Sequence, residues 1–267
     1  MPAPTSTLEG WQAASFSSGG LTRDVYSKGS GPGVVLLPEV PGMTPEVLAL
    51  GDHLVGSGFT VAIPSLFGVP GKSMSAGYFA TTITRLCVAS EMKAFAAGAE
   101  RPVSQFLRAL AADLNRRTPG PGVGVIGLCF TGGFALATAV DDAVLAAVMS
   151  EPSVPFVIGR RRRKDLGLSP AETTTVQHRT RDGLCLLGLK FSKDMAVPDE
   201  RFEAYRNAFG DAVELIVLDS SKSNPDGYAR TAHSVLTLEV RESPANSAHD
   251  ARERVVDFLR LHVPAGS

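Results

Sequence analysis

The chain has 267 residues, of which 44% are hydrophobic and 20% charged, and its formal net charge at pH 7 is −1. This balance is typical of a globular enzyme and disfavours a nucleic-acid platform or a membrane-surface protein, and no run approaches the roughly 18–20 apolar residues that a membrane span requires. Three cysteines, an odd and low number, suit free thiols in a reducing compartment, so we expect a cytoplasmic protein that needs no disulfide.

The first half of the chain alternates short apolar runs with helical patterns. Residues 33–37 form a continuous apolar run that predicts a buried strand. Thr44 is a typical helix cap and Pro45 suits the first helical position. Gly56 and Gly58 predict the end of that helix. Further along, a strand is predicted over residues 59–63, and helices over 81–95 and 103–114.

The second half continues the alternation. Strands are predicted over residues 123–126, 143–149, 184–189 and 213–218, and helices over 134–140, 200–209 and 248–261. Short apolar strands that alternate with helices predict an α/β fold with a mostly parallel sheet, covered by helices on both faces and built as a single domain over residues 1–267. Because parallel sheets bind ligands at the carboxyl ends of their strands, we expect the chemistry at that edge.

Residues 151–182 form an additional segment between two of the predicted strands. Ser169, followed three residues later by Glu172, is a capping box that predicts a helix start at Pro170. We expect this insertion to lie over the site edge as a small lid. Its basic run at residues 160–164, Arg-Arg-Arg-Arg-Lys, could bind an anionic group, but such runs are more often solvated loops, and we favour that interpretation.

One motif carries most of the functional information. Gly127-Leu128-Cys129-Phe130-Thr131-Gly132-Gly133 lies between a predicted strand and a predicted helix. A sharp strand–turn–helix that exposes one reactive side chain is the nucleophile elbow of the α/β-hydrolase fold, with cysteine here in place of the usual serine. The Cys129 sulfur would face the helix amino terminus, whose partial positive charge favours thiolate. The chain therefore resembles a thiol hydrolase, whereas Cys87 and Cys185 are interpreted as small core residues.

A cysteine nucleophile needs a base, and the base needs an acid that orients it. In α/β-hydrolases the order along the chain is nucleophile, acid, histidine. Asp194 follows the predicted strand at 184–189, and His233 lies on a loop after the last predicted strand. Asp199 and Asp219 stay open as alternative acids, although Asp199 is better suited to cap the next helix. Of the other four histidines, His53 and His178 fall in predicted helices, and those at 249 and 262 belong to the terminal helix region.

These motifs resemble the dienelactone hydrolase family over most of the chain. The resemblance implies hydrolysis of an ester or lactone through a thioacyl enzyme, with Cys129, Asp194 and His233 as the triad. It also implies that Glu39, which follows the first core strand, contacts the resting thiol and takes part in its activation.

The same resemblance assigns the oxyanion hole to two backbone N–H groups, those of Val40 and Phe130. Three positions depart from the family pattern. Thr131 stands where glycine is usual, and Thr237 stands where an arginine binds the substrate carboxylate. Arg85 is only a loose match to the family's second arginine. A neutral or differently shaped ester, lactone or thioester is therefore expected in place of an anionic dienelactone.

No metal-binding or phosphate-loop motif occurs in the sequence, so we expect no cofactor. The expected partner is a small-molecule substrate, without nucleic acid or membrane, and the protein is expected to be a monomer or homodimer. Three alternatives stay open. The chain could be a catalytically silent α/β-hydrolase that acts as a binding or regulatory module, a redox-responsive thiol protein, or an acyl transferase with the same site.

Overall fold

An eight-stranded β-sheet forms the centre of the molecule. The structure is a computed structural model that describes residues 2–94, 96, 98–243 and 245–266. The strand order in the sheet is β1-β2-β4-β3-β5-β6-β7-β8. The strands are β1 (Gln12–Ser18), β2 (Leu21–Lys28), β3 (Gly33–Leu37), β4 (Thr60–Pro64), β5 (Val123–Leu128), β6 (Val144–Ser150), β7 (Cys185–Phe191) and β8 (Val213–Leu218). Strands β3 to β8 are mutually parallel, and β2 pairs in antiparallel fashion with both of its neighbours, β1 and β4, which confirms the predicted mostly parallel sheet.

Helices cover both faces of the sheet. They are α1 (Pro45–Gly56), α2 (Ala76–Val88), α3 (Pro102–Arg117), α4 (Gly132–Thr138), α5 (Arg160–Arg163), α6 (Pro170–Arg181), α7 (Asp199–Phe209) and α8 (Ser247–His262). Helices α1 and α8 pack on one face, and α3, α4, α6 and α7 on the other. Alternate side chains of β3 serve the two cores, with Val34 and Leu36 on the first face and Val35 and Leu37 on the second. No helix in the described ranges is long and apolar enough to cross a membrane.

The predicted helix starts are confirmed by their hydrogen bonds. The Thr44 hydroxyl accepts the N–H of Val47 at the start of α1, at 3.4 Å. At the start of α6, the Ser169 hydroxyl accepts the N–H of Glu172 (3.2 Å), and the Glu172 carboxylate accepts the N–H of Ser169 (2.7 Å). Both patterns satisfy N–H groups that a helix leaves free at its first turn.

Two regions differ from the expected elements. The hairpin of β1 and β2 was not expected, although its turn glycines, Gly19 and Gly20, have φ of +58° and +78°, the left-handed geometry of tight hairpins. The helix predicted over 81–95 instead covers Ala76–Val88, because the Ser75 hydroxyl caps it earlier and the backbone turns extended at Ala89. Phe95, the end of the predicted helix, lies outside the described residues.

Smaller corrections concern polar and cysteine residues. The basic run forms a short helix, α5, rather than a loop, and Arg163 pairs with Glu200 at 2.8 Å. Asp199 does not cap α7, since Pro198 holds the cap position, and its carboxylate pairs instead with the Lys190 ammonium (2.5 Å). The two other cysteines, Cys87 on α2 and Cys185 on β7, are only half-buried, so neither is a true core residue.

Two buried arginines donate to backbone carbonyls of the 151–182 insertion and so hold it against the rest of the protein. The Arg201 guanidinium donates to the carbonyls of Pro152 and Pro155, each at 2.6 Å. The Arg101 guanidinium donates to the carbonyl of Gly167 at 2.5 Å. Because these bonds hold backbone groups, the segment that follows β6 has a defined course over the carboxyl edge of the sheet.

Candidate active site

Cys129 stands at the sharp turn between β5 and α4. Its φ is +49°, a left-handed conformation that costs energy in a residue other than glycine and is typical of a nucleophile elbow. The turn needs glycine on either side because the chain approaches itself closely. A Cβ on Gly127 would lie 2.3 Å from the carbonyl oxygen of Thr131, and one on Gly132 would lie 2.7 Å from the Cα of Pro152. The predicted elbow is therefore the observed local geometry.

The buried Thr131, found where the family pattern has glycine, fills a polar role at the elbow. Its hydroxyl oxygen accepts the N–H of Leu128 at 3.0 Å. The same hydroxyl lies within donor distance of the carbonyls of Leu37 (3.0 Å) and Pro38 (3.2 Å), and its one proton serves one acceptor at a time. Thr131 thus links the elbow to the segment that follows β3.

His233 and Asp194 form the hydrogen-bonded pair that the sequence predicts. The Nδ1 of His233 lies 2.6 Å from Oδ2 of Asp194, just beyond the end of β7. The other carboxylate oxygen accepts the N–H of Ala196 at 2.9 Å, which fixes the orientation of Asp194. The alternative acids bond elsewhere, Asp199 to Lys190 and Asp219 to Ser221.

The charges around His233 favour its protonated form. Burial alone would lower the pKa of His233, but the negative charge of Cys129, hydrogen bonds with Asp194 and Cys129, and the charge of Asp194 raise it well above its ordinary value. The structure therefore places Cys129, His233 and Asp194 around one cavity, with a hydrogen bond between His233 and Asp194. An imidazolium held between a carboxylate and a thiolate can exchange a proton with the sulfur.

Glu39 lines the same cavity as Cys129 and His233, but its hydrogen bonds go to the loop that carries His233. Its carboxylate accepts the hydroxyls of Ser234 (2.5 Å) and Thr237. Burial raises the pKa of Glu39, while these two hydrogen bonds and the charge of His233 act in the opposite direction. Among the hydrogen bonds of the described residues, none joins Glu39 to the thiol of Cys129.

Two backbone N–H groups are free to receive an oxyanion. Val40 follows the end of β3, and Phe130 follows the cysteine, and both residues line the cavity that contains Cys129. Within the described part of the chain, neither N–H donates to a protein acceptor. Unpaired backbone N–H groups beside a cavity are the kind of donor that can bind a developing negative charge on a carbonyl oxygen.

The cavity beside Cys129 has a volume of about 600 Å³. Most of its wall is apolar, formed by Val40, Met74, Phe79, Ile83, Phe130, Phe156, Met195, Ala196 and Leu238. The ring of Phe130 packs edge-on against that of Phe156, at a centroid distance of 5.9 Å. Two exposed cations, Lys193 and Arg230, also line the cavity.

Arg85, the expected substrate-binding arginine, lines a neighbouring cavity with Tyr78 and Glu91 and is absent from the described lining around Cys129. Thr237 occupies the position of the family's other arginine and donates to Glu39. In the described ranges, no three histidine, cysteine, aspartate or glutamate side chains are grouped so as to hold a metal ion.

Two residues after β6 were not among the expected site residues. Ser153 lines the cavity, with its hydroxyl 3.7 Å from the Cys129 sulfur and its N–H donating to the Cys129 carbonyl at 3.1 Å. Glu151 is fully buried next to the same strand end. Their position at the carboxyl end of a parallel strand was the available signal, since ligands bind at that edge.

The model of the dienelactone hydrolase family matches residues 22–263. The chain belongs to the dienelactone hydrolase family. It is accordingly a hydrolase that acts on esters or lactones. No curated protein matches this family member by sequence.

Solved structures share its fold at low sequence identity. One is a dienelactone hydrolase-like promiscuous phosphotriesterase from metagenomic libraries, with a TM-score of 0.64 and 16% identity over 95% of this chain and 98% of that chain. A protein from Klebsiella pneumoniae, assigned as a dienelactone hydrolase, has a TM-score of 0.61 and 18% identity over 93% and 98%. A dienelactone hydrolase from Anabaena variabilis has a TM-score of 0.56 and 12% identity over 95% and 98%. These similarities establish the α/β-hydrolase fold.

Proposed function

We propose that this protein hydrolyses small uncharged carboxylic esters or lactones, with Cys129 as nucleophile and a thioacyl enzyme as intermediate. The observation that carries the proposal is the placement of Cys129, His233 and Asp194 in one cavity, with the 2.6 Å bond between Asp194 and the far nitrogen of the imidazole. Because Nδ1 of His233 bonds to Asp194, the other ring nitrogen, Nε2, is left to accept the thiol proton. The family membership supports the reaction class.

In the first half of the proposed reaction, the proton of the Cys129 thiol is held by His233 and the sulfur attacks the carbonyl carbon. A carbon–sulfur bond forms, and the carbonyl electron pair moves to the oxygen, which binds the N–H groups of Val40 and Phe130. The tetrahedral intermediate then collapses, the carbon–oxygen bond to the alcohol breaks, and the imidazolium gives its proton to the leaving alkoxide. A thioester to Cys129 remains.

In the second half, water replaces the alcohol. His233 takes a proton from the water, the resulting hydroxide attacks the thioester carbonyl, and the carbon–sulfur bond breaks. The acid leaves and the thiolate is restored beside the imidazolium. Asp194 holds the imidazole in one tautomer and stabilises its positive charge in both halves. Glu39 supports the reaction by holding Ser234, next to the base.

The lining of the cavity supports an uncharged substrate. Apolar side chains form most of the wall, and Arg85 faces a different cavity. The two cations that line the cavity, Lys193 and Arg230, are exposed, so a carboxylate on the acyl part would lose its hydration without gaining a buried cationic partner, which is unfavourable. Ser153 and Phe156, from the 151–182 insertion, contribute to this wall. We infer that the insertion acts as part of the pocket within a single-domain enzyme.

The decisive experiment compares wild type with Cys129→Ala on p-nitrophenyl butyrate, and uses Cys87→Ala as the matched control. We expect Cys129→Ala to lose at least about 10⁴-fold in kcat, because the nucleophile is absent, and Cys87→Ala to retain wild-type turnover. A p-nitrophenyl ester with a carboxylate on its acyl chain should be the poorer substrate. Mass spectrometry of the enzyme quenched during turnover should locate the acyl group on Cys129.

Other outcomes would direct attention to the alternatives. Equal turnover by wild type and Cys129→Ala would contradict the nucleophile assignment. No turnover of any ester or lactone, with the fold intact by circular dichroism, would favour a binding module. Reversible loss of thiol titre with peroxide, in the absence of ester turnover, would favour a redox-responsive thiol.

A further inference from the structure

Glu151 occupies an unusual place for a glutamate. It follows the last residue of β6, its side chain is fully buried, and its φ is +36°. A left-handed residue other than glycine is unfavourable and persists where its surroundings hold it in place. The strand beside it, β5, ends in the same way at Cys129, whose φ is +49°. Two neighbouring strands therefore end in left-handed residues directly beneath the site.

The contacts of Glu151 lead to the histidine loop, defined here as residues 233–237. Its Oε2 accepts the backbone N–H of Val235 at 3.2 Å and the hydroxyl of Ser150 at 2.5 Å. Its own N–H donates to the carbonyl of Leu189 at 2.8 Å. Its Oε1 is buried, and within the described residues it has no hydrogen-bond partner. The carboxyl group thus bonds through one oxygen to the backbone two residues beyond His233.

Glu39 and Glu151 hold the histidine loop together. Glu39, beyond the end of β3, accepts the hydroxyls of Ser234 and Thr237. Glu151, at the end of β6, accepts the backbone N–H of Val235. Within the described residues, the loop contains no helix or strand that could fix His233 by its own hydrogen bonds. The carboxyl groups of Glu39 and Glu151, which come from other strands, are therefore among the contacts that position His233, together with the packing of Val235 in the core.

The charged and titratable groups that face Glu151 are His233 and Glu39. Burial raises the pKa of Glu151 to about 8, and the charge of Glu39 adds to this, while the charge of His233 and the bonds from Ser150 and Val235 lower it. At neutral pH the group is therefore mostly uncharged. Above pH 8 it adds a negative charge next to His233, which favours the imidazolium.

We propose that Glu151 is a positioning residue, which holds the histidine loop through the Val235 N–H and so keeps the His233 imidazole in line with Cys129 and Asp194. The proposal rests on the Cys129–His233 mechanism given above. It assigns to Glu151 no contact with substrate.

The test compares Glu151→Gln, which keeps an oxygen acceptor for the Val235 N–H, with Glu151→Gly, which removes the side chain and suits the left-handed backbone. Glu172→Gln, at a buried glutamate in the α6 capping box, is the matched control. Turnover is measured on p-nitrophenyl butyrate. The titration of the His233 ring is followed by NMR, with its signal assigned from a His233→Gln variant, and this second measurement does not depend on enzymatic activity.

We expect Glu151→Gly to lower kcat/KM roughly 10²-fold, mostly through kcat, because a small misplacement of the base is costly. Glu151→Gln should stay within about 3-fold of wild type near pH 7, since the Val235 N–H keeps its acceptor. In Glu151→Gln the midpoint of the His233 titration should fall by on the order of one unit, because the charge that favours imidazolium is gone. Glu172→Gln should change neither measurement.

Wild-type kcat/KM in Glu151→Gly, or an equal loss in Glu151→Gln and Glu151→Gly, would overturn the positioning role. An unchanged His233 titration in Glu151→Gln would overturn the electrostatic link between the two groups. If Cys129→Ala retained ester turnover, the proposed function would fail separately, because the NMR titration would still report whether Glu151 acts on His233.

Discussion

The proposed nucleophile and the proposed base are held in place by different means. Cys129 lies on an elbow fixed by the backbone itself, where a Cβ on Gly127 would lie 2.3 Å from the Thr131 carbonyl oxygen. His233 lies on an irregular loop whose hydrogen-bond partners include the carboxyl groups of Asp194, Glu39 and Glu151. The elbow should therefore respond to changes in volume, and the histidine loop to changes in charge and pH.

Among the tests of this comparison, the largest effect is expected at the proposed acid, Asp194. Asp194→Asn keeps the shape of the side chain but removes the charge that stabilises imidazolium and selects its tautomer, so kcat/KM on p-nitrophenyl butyrate should fall about 10³-fold, with an unchanged circular dichroism spectrum. Asp219→Asn, at the exposed alternative acid beyond β8, should leave kcat/KM unchanged. The reverse result would transfer the role of acid to Asp219.

The next effect is expected at the elbow. Gly127→Ala places a methyl group against backbone that cannot move independently, so the free energy of unfolding in urea should fall by about 3 kcal/mol. Gly77→Ala is the matched control, because a Cβ at this position in α2 meets nothing within 4 Å. Wild-type stability in Gly127→Ala would show that the elbow is less rigid than its contacts indicate.

The titration of Glu151, which bonds to the histidine loop, should make the free energy of unfolding depend on pH. Glu151 has a pKa raised from 4.5 to about 8 in the folded protein. Between these values the unfolded chain has released the proton and the folded protein keeps it, so this group makes stability fall with rising pH by about 1.4 kcal/mol per unit. Glu151→Gln should remove that slope, measured as the difference between urea titrations of the two proteins. The raised pKa values of Glu39 and His233 give slopes of the same sign. The slope from Glu39 persists in the variant and cancels, and the slope from His233 begins only above its ordinary pKa of 6.5, so the two proteins are compared below that pH.

The smallest effect is expected at the link between elbow and β3. Thr131→Val keeps the shape but removes the hydroxyl that serves the N–H of Leu128 and the carbonyl of Leu37, so the free energy of unfolding should fall by about 1 kcal/mol. Thr131→Ser retains the hydroxyl and should lose less than half as much. A larger loss in Thr131→Ser than in Thr131→Val would mean that the methyl group, rather than the hydrogen bonds, makes the main contribution.

The features that the sequence predicted well depend only on residues close to one another in the chain. The elbow motif, the cap at Thr44 and the capping box at Ser169 each act within a few residues, and each is found in the structure. Helix α2 was misplaced because its apolar pattern continues beyond Val88, while Ser75 starts it and an extended Ala89 ends it. The β1–β2 hairpin was overlooked because its strands are largely exposed and lack an apolar run.

Features that depend on distant partners were harder to predict. Asp194 and His233 were inferred from the order of elements in a known fold, and the 2.6 Å bond between them agrees with that inference. No local pattern indicates that Glu151 meets Val235, 84 residues later in the chain. Likewise, Glu39 was expected to contact the thiol but bonds to Thr237, and this contact joins the first and last quarters of the sequence.

These long separations also determine when the site can become complete as the chain folds. Thr131 and Leu128 are three residues apart, whereas Glu39 lies 195 residues before Ser234. Contacts across so much chain carry a large loop-closure entropy and form late. During synthesis the elbow thiol therefore leaves the ribosome well before its base. On the proposed mechanism, Cys129 of a nascent or partly folded chain lacks its base, and we expect hydrolytic activity only after the final quarter of the chain has docked.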